Sequence, residues 1–149
     1  MLKQKLKEEL KQSMLARNAL KTSVLRLLLS AINYYEIQKG GAGYEATDED
    51  VLSVIQKEAK QRRDSIEEYK KAARQELVDK ETKELEMLQA YLPQQMSEDE
   101  IKSLVKETII QTGAKTITEM GKVMGALMPK VKGKADGAIV SRIVRESLS

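Results

Sequence analysis

Lys130, Lys132 and Lys134 alternate along PKVKGKAD, a stretch bounded by Pro129 and Asp136 and loosened by Gly133 and Gly137. Three ammonium groups on a glycine-bearing turn can meet an anionic backbone. The N–H groups at the start of the next helix attract the same charge. Lys122, Arg142 and Arg145 extend the set if the helices on either side pack as a pair, and Asp136 at the helix start partly offsets the field. No aromatic residue lies among these cations, so base stacking is not the main contact; a folded RNA gripped by shape and phosphate is the chemistry that fits. The competing reading is a lysine-rich loop that is simply solvated.

Other chemistries fare worse. Gly113-Ala114-Lys115-Thr116 looks like the end of a phosphate loop, but the Gly-x-x-x-x-Gly-Lys-Thr order and a preceding strand are missing. The chain has no Cys and no His, which removes disulfides, thiolate metal sites, the commonest general base and the commonest metal ligand. No catalytic residue, metal site or cofactor is therefore expected. A hydrolase would need a Ser–Lys or carboxylate site, and no serine has a supporting motif. Met120, Met124 and Met128 read as core filler, and Gly121 and Gly125 as a place where a neighbouring helix comes close.

The elements that must carry these residues are helical. Apolar residues make up 41% and charged residues 33% of 149, with only two prolines and neither Phe nor Trp; an aliphatic all-α core follows. Leu2, Leu6, Leu10, Met14 and Leu15 form a stripe over residues 2–17. SVLRLLLSAINYYEI, residues 23–37, is apolar almost all round and should be the central helix, with one of Tyr34 and Tyr35 inside and the other at the rim. Gly40, Gly41 and Gly43 end it in a loop. Thr47 with Asp50, Ser97 with Glu100, and Thr116 with Glu119 are capping boxes. Gly113 suits a C-cap and Asp136 an N-cap. Val51, Ile55, Ala59, Ile66 and Tyr69 continue one stripe, and Leu77, Leu85, Leu88 and Leu92 another. Pro93 and Pro129 are expected to stop their helices. The charged run from Lys60 to Gln75 is expected in water, with Lys60, Arg62 and Arg63 paired along their own helix. Two parts result: an N-terminal helical bundle, residues 1–92, and a C-terminal three-helix domain, residues 96–149.

Charge is uneven. Residues 1–112 carry 19 Lys or Arg and 20 Asp or Glu, whereas residues 113–149 carry 7 and 3. The positive excess is therefore assigned to the last quarter. The charged, amphipathic start lacks a secretory apolar segment, and no apolar run approaches a bilayer span; a cytoplasmic protein with no membrane contact is expected.

EMGKVMGALMPKVKGKADGAIVSRIV, together with RRDSIEEYKKAARQELVDKETKELEMLQAYLPQQMSEDEI and SVLRLLLSAINYYEI, resembles the GatB/YqeY family, most closely its stand-alone bacterial YqeY-like proteins. The likeness runs along essentially the whole chain. It implies an N-terminal bundle and a small three-helix domain related to the tail of the B subunit of tRNA-dependent amidotransferase, which contacts the outer corner of the tRNA. Nothing here resembles that enzyme's catalytic parts. The resemblance therefore implies a non-catalytic tRNA-binding accessory protein, with Lys122, Lys130, Lys132, Lys134, Arg142 and Arg145 as the RNA-binding set and no DNA partner. The alternative is a helical interaction module that docks on an aminoacyl-tRNA synthetase or an amidotransferase.

Overall fold

A computed structural model describes residues 1–149 as seven α-helices without a strand. They divide into two compact units, Met1–Leu92 and Pro93–Ser149.

The first unit holds α1 (Leu2–Leu15), α2 (Ala19–Gly40), α3 (Asp48–Lys71) and α4 (Gln75–Gln89). Leu6 from α1, Leu25, Leu28 and Ile32 from α2, Val51 and Ile55 from α3, and Leu88 from α4 meet in one core. Each such side chain contributes about 1.5–3 kcal/mol by leaving water. The stripe expected on α1 is buried only in part: Met14 and Leu15 are 44% and 77% exposed. Likewise Tyr35 is half-buried while Tyr34 stays outside.

Polar groups lock the open end of this bundle. The capping box of Thr47 and Asp50 forms as its spacing requires. Asp50 also accepts from the hydroxyls of Tyr35 (2.9 Å) and Tyr44 (2.5 Å) and from Lys39 Nζ (2.9 Å). Lys39 Nζ lies 5.5 and 5.2 Å from the centroids of those two rings, a cation–π arrangement. Glu36 accepts from Lys3 Nζ at 2.7 Å and from the Ala46 N–H at 2.7 Å. Asp48 accepts from the Leu2 N–H, an orphan donor of the first turn of α1. The Tyr44 hydroxyl, then Lys39, holds the Asp50 carboxyl far below the usual carboxylate range; Lys3, then the Ala46 N–H, does the same for Glu36 more mildly. Both groups have folded-state values below their unfolded ones. Their stabilisation is therefore complete above the unfolded pKa and lost as pH falls through and below about 4. Thermal melts followed by tyrosine fluorescence should show the midpoint dropping below about pH 4.5, with Asp50→Asn flattening that drop.

Both helical hairpins turn without glycine. Arg17 and Ala73 have φ of 55°, and each sits just past a helix end. Their N–H groups return to Met14 and Lys70, and those of Asn18 and Arg74 to Ser13 and Tyr69. This is a Schellman turn, whose left-handed position usually belongs to glycine. An L-residue there costs about 1–2 kcal/mol and glycine's extra chain entropy about 0.5–1. Ala73→Gly should therefore stabilise the first unit by about 0.5–1 kcal/mol, measured by urea unfolding.

The charged run of α3 is the main correction to the sequence reading. Arg62 is not on a solvated face: its side chain is 15% exposed, and it pairs across the hairpin with Glu81 at 2.9 Å and with Glu84.

The second unit holds α5 (Glu98–Thr112), α6 (Met120–Val131) and α7 (Gly137–Leu148). Ser97 and Glu100 form the expected box on α5, and Gly113 closes it with φ 70°. A single 3₁₀ turn, Ile117–Glu119, precedes α6. Val105, Val123, Leu127, Val131, Val140 and Ile143 are the centre of the core. Pro129 lies inside α6 and does not end it. Its missing N–H leaves only the carbonyl of exposed Gly125 without its helical donor, whereas Val131, fully buried, draws one more turn into the core.

Candidate nucleic-acid interface

The basic loop runs from Lys132 to Asp136 between α6 and α7, and several backbone hydrogen bonds hold it. Lys132 N–H donates to the Met128 carbonyl, and the N–H groups of Lys134 and Ala135 both return to Val131. Gly133 takes φ 80°, the left-handed turn that reverses the chain after α6. The segment before α5 then clamps the loop. Gln95 Nε2 donates to the Gly133 carbonyl at 2.9 Å, and Met96 N–H donates to the Lys134 carbonyl at 2.8 Å. Asp136 accepts from the Ala138 N–H at 2.9 Å and so starts α7.

The lysines project from this fixed turn. Lys130, Lys132 and Lys134 are exposed. Lys130 Nζ reaches Gln111 Oε1 at 3.3 Å, a neutral partner that leaves its charge in place. These three cations fall within five consecutive residues, so one anionic strand can touch all of them.

The other members of the predicted set are placed differently. Lys122 is exposed in the first turn of α6, eight residues and about 12 Å along the axis from Lys130. The Glu119 carboxylate lies near it and is held below its ordinary pKa first by the Lys115 N–H, then by that of Thr116. Arg145 is exposed in the last turn of α7. Arg142 is already engaged: Glu98 on α5 and Glu146 one turn along both bind its guanidinium, and the Glu98 bond raises its pKa further. Arg142 is therefore a brace between α5 and α7 whose charge is largely answered.

The sequence reading also overlooked a second basic region. Residues 1–26 hold seven Lys or Arg against two Asp or Glu, and residues 27–112 hold 12 against 18. Averaging over 112 residues hid this contrast. Of the seven, Lys3 is bound to Glu36 and Lys21 lies 3.9 Å from Glu9; Lys5, Lys7, Lys11 and Arg17 are exposed. A shorter charge window would have found them.

No group of three or more acidic side chains is placed to hold a metal ion. Several surface hollows are present. One of about 500 Å³ in the second unit is lined by Lys102, Lys106, Ile109, Ile110, Ile143, Glu146 and Ser147.

Two helical units, one of them a three-helix domain with a clamped cationic turn, define an all-α protein. The chain belongs to the YqeY family: residues 3–148 match the family described as Yqey-like protein. It is similar to "Altered inheritance of mitochondria protein 41, mitochondrial" of Pyrenophora tritici-repentis, 38% identical over 67% of this chain and 56% of that one. The protein of the same name in Vanderwaltozyma polyspora is 38% identical over 58% of this chain and 46% of its own. That of Saccharomyces cerevisiae is 28% identical over 95% and 80%. The chain spans about half the length of the first two of these curated relatives. Neither the family description nor these names carries a catalytic activity.

The names overturn the expectation of a cytoplasmic protein, because they place these relatives in mitochondria. The sequence argument had excluded only a secretory segment and a bilayer span; no helix is long and apolar enough to cross a membrane. Neither fact separates the cytoplasm from an organelle interior.

Proposed function

We propose that this protein is a non-catalytic tRNA-binding accessory protein that grips the folded RNA backbone through Lys130, Lys132 and Lys134. The observation that carries the reading is the clamped loop: Gln95 and Met96 hold the backbone of Gly133 and Lys134 while the lysine side chains stay exposed. A pre-set turn loses little backbone entropy on binding. Lys122 and Arg145 supply outlying charge, and the exposed lysines of α1 add a second cationic surface.

Binding to tRNA should weaken steeply as salt rises. Three to four phosphate contacts give a slope of about −3 in a plot of log affinity against log salt. Filter binding with labelled tRNA and with duplex DNA of equal length tests this. A flat salt response, or equal affinity for the DNA, removes the RNA reading.

One observation favours a second reading, docking on an aminoacyl-tRNA synthetase or amidotransferase. Ile110 is 73% exposed beside the hollow between α5 and α7. A pull-down of either partner that survives ribonuclease treatment and is lost with Ile110→Asp would favour it.

A further inference from the structure

In the first unit α1 and α4 both pack against α2, and a hollow of about 330 Å³ opens where the three meet. Its lining has two chemistries. Val24 and Leu25 of α2, almost fully buried, are the floor, and Met87 and Ala90 at the end of α4 continue it as apolar wall. The rest of the lining is polar: Lys5 and Glu9, one turn apart on α1, Lys21 of α2, and Tyr91. The Tyr91 hydroxyl donates to Glu9 Oε2 across 82 residues of sequence. Burial, then the Glu9 carboxylate, raises the pKa of that phenol, so it keeps its proton and stays a donor. Lys21 Nζ lies 3.9 Å from the same Glu9 oxygen. Lys5 is exposed and pairs with no carboxylate. Two ammonium groups therefore face one carboxylate, and a hydroxyl already shares that carboxylate.

We propose that this hollow is a binding site for a small organic monoanion, its charged group held by Lys5 and Lys21 and its apolar chain or ring laid on Val24, Leu25, Met87 and Ala90. The lining argues each half of that description. The excess of ammonium groups favours an anion and repels a cation, and the Glu9 carboxylate disfavours a second negative charge. A wholly apolar ligand would take water from Lys5 and Lys21 and give nothing back. A bare inorganic anion would leave the floor wet and gain nothing from it. The volume stands near the lower end of small-molecule sites, about 300–1,000 Å³, so the occupant is a small molecule and not a helix or a nucleic-acid strand. Part of the site is set in advance. Tyr91 fixes Glu9, and Glu9 draws Lys21 to the hollow, so less side-chain freedom is lost on binding. The inference needs neither the basic loop nor RNA.

The test is fluorescence titration of the full chain with two probes that share one aromatic body: anilinonaphthalene sulfonate, which carries a single negative charge, and phenylnaphthylamine, which carries none. The sulfonate should bind once per chain with a dissociation constant of about 10–100 µM. The uncharged amine should bind at least about tenfold more weakly, since it leaves both ammonium groups unanswered. Inorganic phosphate in large excess, at constant ionic strength, should not displace the sulfonate. Lys5→Gln with Lys21→Gln should weaken the sulfonate at least about tenfold and leave the amine as it was, with an unchanged melting temperature. Ala90→Trp, at an exposed position, should fill the hollow and block both probes. Lys57→Gln, exposed on α3 and outside the hollow, should change neither. No saturable binding up to about 1 mM, an amine bound as tightly as the sulfonate, or sulfonate binding that survives the double lysine variant or Ala90→Trp overturns the proposal.

Discussion

Arg62→Ala is expected to destabilise the N-terminal unit by about 3–5 kcal/mol, because it leaves a buried carboxylate without its partner. Glu84 is 4% exposed and Glu81 is half-buried beside it; the same Arg62 nitrogen, Nη1, binds both. No buried side-chain nitrogen or oxygen in the protein lacks a hydrogen-bond partner, so the wild-type pair has no slack. Removing the guanidinium strands the Glu84 charge between α3 and α4, where it must draw in water or distort the hairpin. The pair itself contributes much less than this loss, since desolvating both ions costs nearly what their attraction returns. Arg62→Met combined with Glu84→Leu should therefore be far milder than Arg62→Ala alone. All five tyrosines, Tyr34, Tyr35, Tyr44, Tyr69 and Tyr91, lie in the first unit and the chain has no Trp. Urea unfolding followed by tyrosine fluorescence thus reports this unit without interference from the second. If Arg62→Ala costs under about 1 kcal/mol, the pair is a surface ornament of the kind whose contribution is small.

That pair also shows where sequence reasoning stops. Caps were legible because they are local: Thr47 with Asp50, Ser97 with Glu100, Gly113 and Asp136 act over four residues or fewer. The inward stripes of α5 and α7 were legible because burial repeats with the helix turn. Arg62, in contrast, has neighbours of opposite sign on its own helix, and its true partners are 19 and 22 residues away. The turn that brings them back is built on Ala73 in a glycine conformation, which no residue type announces. Lys3 with Glu36, and Gln95 with Gly133, are 33 and 38 residues apart and escaped for the same reason. For α2 the fault was different. A helix that is apolar all round carries no signal of which side is outermost, so a buried central helix was expected, and the exposed Leu27, Tyr34 and Ile37 were not. Of the candidate site, the three loop lysines were found by spacing alone; the carboxylates that occupy Arg142 come from α5 and α7 and needed the packing to be seen.

Lys130→Glu with Lys132→Glu and Lys134→Glu is expected to weaken tRNA binding by about 100- to 1,000-fold near 0.1 M salt and to make the salt slope shallower by about 3. The change replaces three phosphate contacts with three repulsions. The second unit holds nine Lys or Arg and seven Asp or Glu over residues 93–149, so the triple variant takes it from +2 to −4. The fold should tolerate this. The loop is held through the carbonyls of Gly133 and Lys134 and the N–H groups of Lys132 and Lys134, none of which depends on side-chain charge. Lys130 gives up one exposed bond to Gln111. Far-UV circular dichroism should therefore match the wild type. Arg142→Gln is the discriminating control. If positive charge anywhere on the unit were enough, it would weaken binding as much as any one lysine change. If the clamped turn is the contact, Arg142→Gln should alter affinity by less than about threefold, since Glu98 and Glu146 already hold that guanidinium. A folded triple variant that binds tRNA as the wild type does would move the interface elsewhere, and the exposed lysines of α1 would then be the first place to look.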